Sequence, residues 1–207
     1  MIAILKHNAP YRDYEFGFIL YGLAFMSTKA VITLFYDKAL HLNYTSVAFY
    51  QNVFNVVAIF LLPVFGKLIG KSDPRRFVVM NYTALAAYLL FIALTAYFPF
   101  YVEVLQVKLY ATLVLALLAH GVFVATMSLA WYIGSSYFCS KEEAGDYQSV
   151  HLTLTGARGV FAPLIGIFFY ELMGFTGTFA LGISFLILAI GLMHWSVSKR
   201  GKLWKQQ

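Results

Sequence analysis

Six apolar runs separated by short polar segments organise this chain: residues 16–36, 44–65, 77–98, 109–138, 149–170 and 175–197. Each approaches or exceeds the roughly 20 residues that a helix needs to cross a bilayer. The pattern predicts an all-α membrane protein, a single bundle of six transmembrane helices over residues 1–207. Met1 to Glu15 reads as a polar lead-in carrying Lys6, Pro10, Arg12, Asp13 and Glu15, and Asp37 to Asn43 as a short turn. Gly66 to Arg76 reads as a tight cationic loop whose proline stops the preceding helix. PFYVEVLQVK reads as an aromatic boundary loop, Ser140 to Gln148 as a charged connection, and Glu171 to Gly174 as a turn.

Composition agrees with that pattern. The chain is 61% hydrophobic and 12% charged, against roughly 25% charged residues in soluble domains. Its 20 Phe and 15 Tyr suit lipid-facing surfaces and interfacial belts. The net charge of +6 could suggest nucleic acid, but its placement along the chain marks topology instead. One side of the six spans would hold Lys6, Arg12, Lys67, Lys71, Arg75, Arg76, Lys141, Lys199, Arg200, Lys202 and Lys205; the other would hold Lys38 and Lys108. By the positive-inside rule both termini are expected in the cytoplasm, and the localisation expected is a bacterial inner (plasma) membrane. The first run is too long for a signal-peptide core and is expected to stay as a helix. The single Cys139 cannot form an internal disulfide and reads as a bystander. Asn43-Tyr44-Thr45 fits a glycosylation sequon, but a short turn against the membrane is a poor acceptor.

Polar residues inside the runs supply the candidate chemistry. Lys29 lies in the first run, Gln51, Asn52 and Asn55 in the second, His120 in the fourth, and His151 and Arg158 in the fifth. Asn81 and His194 lie near the ends of the third and sixth, where a side chain reaches the interface by snorkelling. The first, second, fourth and fifth helices should therefore face an interior, and the third and sixth should face lipid. That order repeats, as expected of two inverted three-helix repeats whose polar groups meet near the bilayer midplane. Gln51 and Asn55 share a helix face, fit either for interhelical hydrogen bonds or for lining a substrate path. His120 can titrate near neutral pH, which makes it a candidate for proton coupling; His151 sits where a capping or interfacial role is expected. A charge at the depth of Lys29 or Arg158 costs about 2.5–3.5 kcal/mol on insertion scales and marks a functional candidate. No Asp or Glu is expected at the same depth. Arg158 fits a gate or a structural hydrogen bond as well as a substrate contact.

The loop carrying Gly66, Lys71, Arg75 and Arg76 resembles the cytoplasmic loop of the major facilitator superfamily, G-x-x-x-D-[RK]-x-G-x-[RK]-[RK]. Gly70 stands in the place of the family's aspartate, and Asp73 replaces its second glycine. Gly156, Arg158, Gly159, Pro163 and Gly166 resemble the fifth helix of a family half, where small residues and a proline pack and bend the helix; Ala162 and Ile167 depart from the family's glycines. The resemblance implies that the loop cations hold the cytoplasmic side in one state. It also implies a fold of twelve helices in two six-helix halves, of which this chain has the length of one, most like the C-terminal half. The expected partners are the lipid bilayer and a second six-helix half, as a homodimer or as the missing half of a longer chain.

The function expected is secondary active transport of a small solute by alternating access. The expected lining residues are Lys29, Gln51, Asn55, His120 and Arg158, and two intramembrane cations point to an anionic or amphipathic solute. The competing reading is a non-transporting membrane scaffold or assembly subunit. The sequence has no HExxH, no GxSxG and no paired carboxylates within a run, so no catalytic residue, cofactor or metal ligand is expected.

Overall fold

A computed structural model describes residues 1–201. A short helix α1 (Ile2–His7) precedes α2 (Ala9–Leu34), which ends in a π-turn over Phe35–Ala39. Then follow α3 (Tyr44–Ile69), α4 (Pro74–Thr95), the strands β1 (Tyr101–Val104) and β2 (Val107–Tyr110), α5 (Ala111–Ile133) and α6 (Ala144–Arg200). Five of these helices are long and apolar enough to cross a membrane.

α6 has 57 residues, and only Gly174 inside it leaves helical geometry, at φ 67° and ψ −165°. Those dihedrals are open to glycine and almost closed to other residues. A straight helix of that length would span about 85 Å. Both ends nevertheless meet the start of α2: the Tyr11 hydroxyl donates to the Tyr147 carbonyl at 2.6 Å, and the Ser196 hydroxyl to Asp13 at 2.8 Å. The chain therefore doubles back at Gly174 into two antiparallel arms, residues 144–173 and 175–200. The turn expected at Glu171 to Gly174 contracts to that one residue.

α2 lies against both arms. Its buried residues Tyr11, Tyr14, Phe18 and Tyr21 recur at intervals of three and four, the spacing of one helical stripe. They pack ring to ring, Tyr14 on Phe18 at 4.9 Å, Phe18 on Tyr21 at 5.4 Å and Tyr21 on Tyr82 of α4 at 5.5 Å. Close approach depends on glycine. A side chain at Gly166 would run into the Ser27 carbonyl, and one at Gly22 into the Arg158 guanidinium.

Several sequence expectations are corrected. Residues 9–15 are not a polar lead-in: Asn8 accepts from the Tyr11 amide at 3.0 Å, and α2 begins at Ala9 with Asp13 and Glu15 buried. The proline of the cationic loop starts a helix rather than stopping one. α3 continues through Gly66 to Ile69, and Pro74 opens α4 behind the cap of Asp73, which accepts from the Arg75 amide at 2.9 Å. The aromatic loop is a β-hairpin with Leu105 and Gln106 at φ 50° and 64°. It is held to α3 by Asn43 donating to the Gln106 carbonyl and by Ser46 accepting from the Lys108 amide. α4 is half buried within the chain rather than turned to lipid, and Asn81 does not snorkel but donates to the Phe123 carbonyl at 3.0 Å. α3, expected to face an interior, is the least enclosed of the five.

Candidate functional site

The largest concentration of the singled-out residues is a cavity of about 370 Å³ between α2, α3, α4 and α5. Lys29 comes from α2, Gln51 and Phe54 from α3, Tyr88 from α4, and His120 from α5. His120 is half-buried among rings, with Phe54 at 4.0 Å and Tyr88 stacked at 4.2 Å with an interplanar angle of 11°. Gly121 makes that position possible, because a Cβ there would meet the Val57 side chain and stand 3.1 Å from the Phe54 carbonyl. Lys29 and Gln51 are exposed at the rim, with the Lys29 ammonium 5.8 Å from the centre of the Phe25 ring. The arrangement offers one cation, one amide and one imidazole over an aromatic floor, a polar rim on an apolar cavity.

Other expected lining residues fall elsewhere. Asn55 is exposed and outside this cavity, and Asn52 turns back to donate to the Ala48 carbonyl at 2.7 Å. Arg158 lines a second cavity of about 250 Å³, which shares Phe25 and Met127 with the first. The guanidinium donates to the Phe18 carbonyl and lies 5.4 Å from the Tyr21 ring centre.

His151 is neither a cap nor interfacial. It is fully buried, its Nδ1 3.1 Å from both carboxylate oxygens of Glu15, with Phe18 and Trp131 edge-on to its ring. Glu15, expected in a polar lead-in, is thus a buried carboxylate packed against the first arm of α6. The signal was present in the stripe of Tyr11, Tyr14 and Phe18, which marks residues 11–18 as packed helix and carries Glu15 in with it.

The cationic loop divides. Gly66 has open space around it, and Lys71 and Arg76 are exposed. Arg75 is fully buried, donating to Asp73 at 3.1 and 2.8 Å, to Ser196 at 3.2 and 3.0 Å and to the Gly201 carbonyl at 2.6 Å. Ser196 in turn donates to Asp13, which also accepts from Arg200 at 2.7 Å. α2, α4 and the second arm of α6 are tied at one end by this chain of charges. Asp73 stands where the family loop has its second glycine, and Asp followed by Pro is a helix-start signature.

Of the small residues expected to pack the first arm, Gly166 lies against the Ser27 backbone, and a Cβ added at Gly159 would stand 3.5 Å from the Met26 side chain. Gly156 faces open space within this chain, and the break in helical geometry falls at Gly174 rather than at Pro163. Among the described residues no group of three His, Cys, Asp or Glu side chains could hold a metal ion.

Apolar helices, a one-ended charge network and a cavity rimmed by polar side chains describe a polytopic bundle, and one comparison settles its kinship. A family model for the Major Facilitator Superfamily matches residues 14–206. The chain belongs to this superfamily. Neither the curated proteins nor the solved structures contain a match to it. Superfamily members are membrane transporters rather than enzymes, so the chain is a multi-pass membrane protein of a transport family, and its 207 residues fit a fragment of the full fold.

Proposed function

We propose that the chain is one half of a secondary active transporter, working by alternating access, and that the cavity between Lys29, Gln51 and His120 receives a small solute. The observation that carries this reading is the convergence of those three side chains, from three helices, on one cavity. In this reading each arm of α6 crosses the membrane, giving six spans with both termini in the cytoplasm. The connections at the end of the Arg75 network hold most of the cations, which supports that orientation.

Two inverted repeats fit the packing. The repeats would exchange α2, α3 and α4 with α5, the first arm and the second arm. α2 then packs on both arms as α5 packs on α3 and α4, with Gly22 against the Arg158 side chain and Gly121 against the Val57 side chain. A second six-helix half, a copy of this chain or the rest of a longer one, would close the cavity. Val56, Ile59, Phe60 and Val64 of the loosely packed α3 are exposed apolar residues available to that half or to lipid.

Alternating access is testable before the solute is known. In a Cys139→Ser background, a cysteine replacing Gln51 should react with a membrane-impermeant maleimide in both right-side-out and inside-out vesicles. Labelling from one side alone would sink the alternating-access reading and favour a static assembly subunit.

A further inference from the structure

Lys29, Gln51 and His120 share more than the cavity they line. Among the described residues, none of the three side chains makes a hydrogen bond or an ion pair. All three keep free surface, Lys29 and Gln51 being exposed and His120 half-buried. Neighbouring amides are engaged instead: Asn52 donates to its own helix and Asn81 to the Phe123 carbonyl. The polar heads at this cavity are left for something that enters it.

The direction of Lys29 points the same way. It lies nearer the Leu34 end of α2 than the Ala9 end, so a snorkelling lysine would extend past Leu34 toward the interface. Its ammonium instead sits 5.8 Å from the centre of the Phe25 ring, about one turn back toward the middle of the span. No described Asp or Glu lines the cavity to meet that charge. The wall behind it is built of flat faces, with Tyr88 and Phe123 each within 11° of the His120 ring plane at 4.2 and 5.6 Å.

We propose that the solute of this cavity is an aromatic monocarboxylate. Lys29 pairs with the carboxylate at the rim, and the Gln51 amide donates beside it. The ring lies against Phe25 of α2 and Phe54 of α3, which both keep part of their surface free. A planar ring matches flat aromatic walls better than a puckered one does. One cation suits one negative charge, whereas a dianion would leave half its charge without a partner. At about 370 Å³ the cavity has room for a small aromatic acid. The proposal deepens the transport reading by naming the class of solute, and it rests on that reading for the ligand being cargo.

Equilibrium dialysis of radiolabelled benzoate against the full chain in detergent, with empty micelles as the blank, should show saturable binding. Benzyl alcohol, the neutral counterpart, should displace it at least about tenfold less well than unlabelled benzoate, and the puckered cyclohexanecarboxylate about fivefold less well. Lys29→Gln should weaken benzoate about tenfold or more, while Lys29→Arg, which keeps the charge, should stay within about threefold of wild type. Because Lys29 is exposed, both variants should unfold at the wild-type temperature, which circular dichroism checks. Absence of saturable binding, equal displacement by either competitor, or wild-type affinity in Lys29→Gln overturns the proposal. Benzoate binding with one-sided labelling of the Gln51 cysteine would keep the site and discard transport; two-sided labelling without benzoate binding would do the reverse.

Discussion

Arg75 and Arg76 are adjacent in the sequence, yet the first is fully buried and the second exposed. Removing the buried cation shared by Asp73, Ser196 and the Gly201 carbonyl should cost about 3–5 kcal/mol, whereas Arg76→Ala should stay within about 0.5 kcal/mol of wild type. Thermal unfolding in detergent separates the two: a large drop in midpoint for Arg75→Ala and almost none for Arg76→Ala. The cationic loop marks both residues as candidates, but nothing local tells them apart. Ser196 and Gly201, whose oxygens accept from Arg75, are 121 and 126 residues away along the chain. The same distance hides the Glu15–His151 pair, since pairing across 136 residues leaves no periodic trace. Cys139 is the single cysteine of the chain. It is partly buried beside Glu143, and burial together with that carboxylate pushes its thiol up from the ordinary value. Its thiolate should therefore be scarcer at neutral pH than that of a free cysteine. Maleimide labelling of Cys139 should run slower than that of glutathione at pH 7 and accelerate as pH rises toward 9.

At the scale of elements, hydrophobic runs located the membrane helices because a bilayer imposes length and apolarity on each span independently of its neighbours. The ends were harder. Residues 9–15 and 66–69 are polar enough to read as loop, and they are helical because Asn8 caps one segment and α3 simply continues through the other. The hairpin escaped notice because Leu105-Gln106 lacks the Asn-Gly or Asp-Gly signal of a tight two-residue turn. Both residues have left-handed φ, which costs non-glycine residues about 1–2 kcal/mol each. Replacing Leu105-Gln106 by Asn-Gly should therefore raise the unfolding midpoint, by about 1 kcal/mol in stability, and also remove a leucine that is 90% exposed. Unchanged or lowered stability would mean that the left-handed turn is held by contacts of the replaced side chains.

At the scale of the molecule, the arrangement of the arms was legible only as two apolar runs with a turn between them. α4 is half buried within the chain although it carries few polar residues, because the count of polar residues per helix does not distinguish a cavity wall from a packed interior. Asn81 of α4 is buried and donates to the Phe123 carbonyl, whereas Gln51, Asn52 and Asn55 of α3 are exposed. Topology is open to a direct check. Single cysteines at Lys141 and at Leu105, in a Cys139→Ser background, should label from opposite faces of sealed vesicles, Lys141→Cys from the cytoplasmic one. Labelling of both from one face would overturn the six-span orientation.

The reversal at Gly174 occupies a single residue, and a joint that short has no slack. When the first arm moves along its axis, the second must travel with it, so the two behave as one bent lever with its elbow at one end of the bundle. One limb carries Arg158 and the other ends at Ser196, within the Asp13–Arg75 network. Lengthening the elbow by two glycines after Gly174 should leave each limb packed on α2 while disengaging them mechanically.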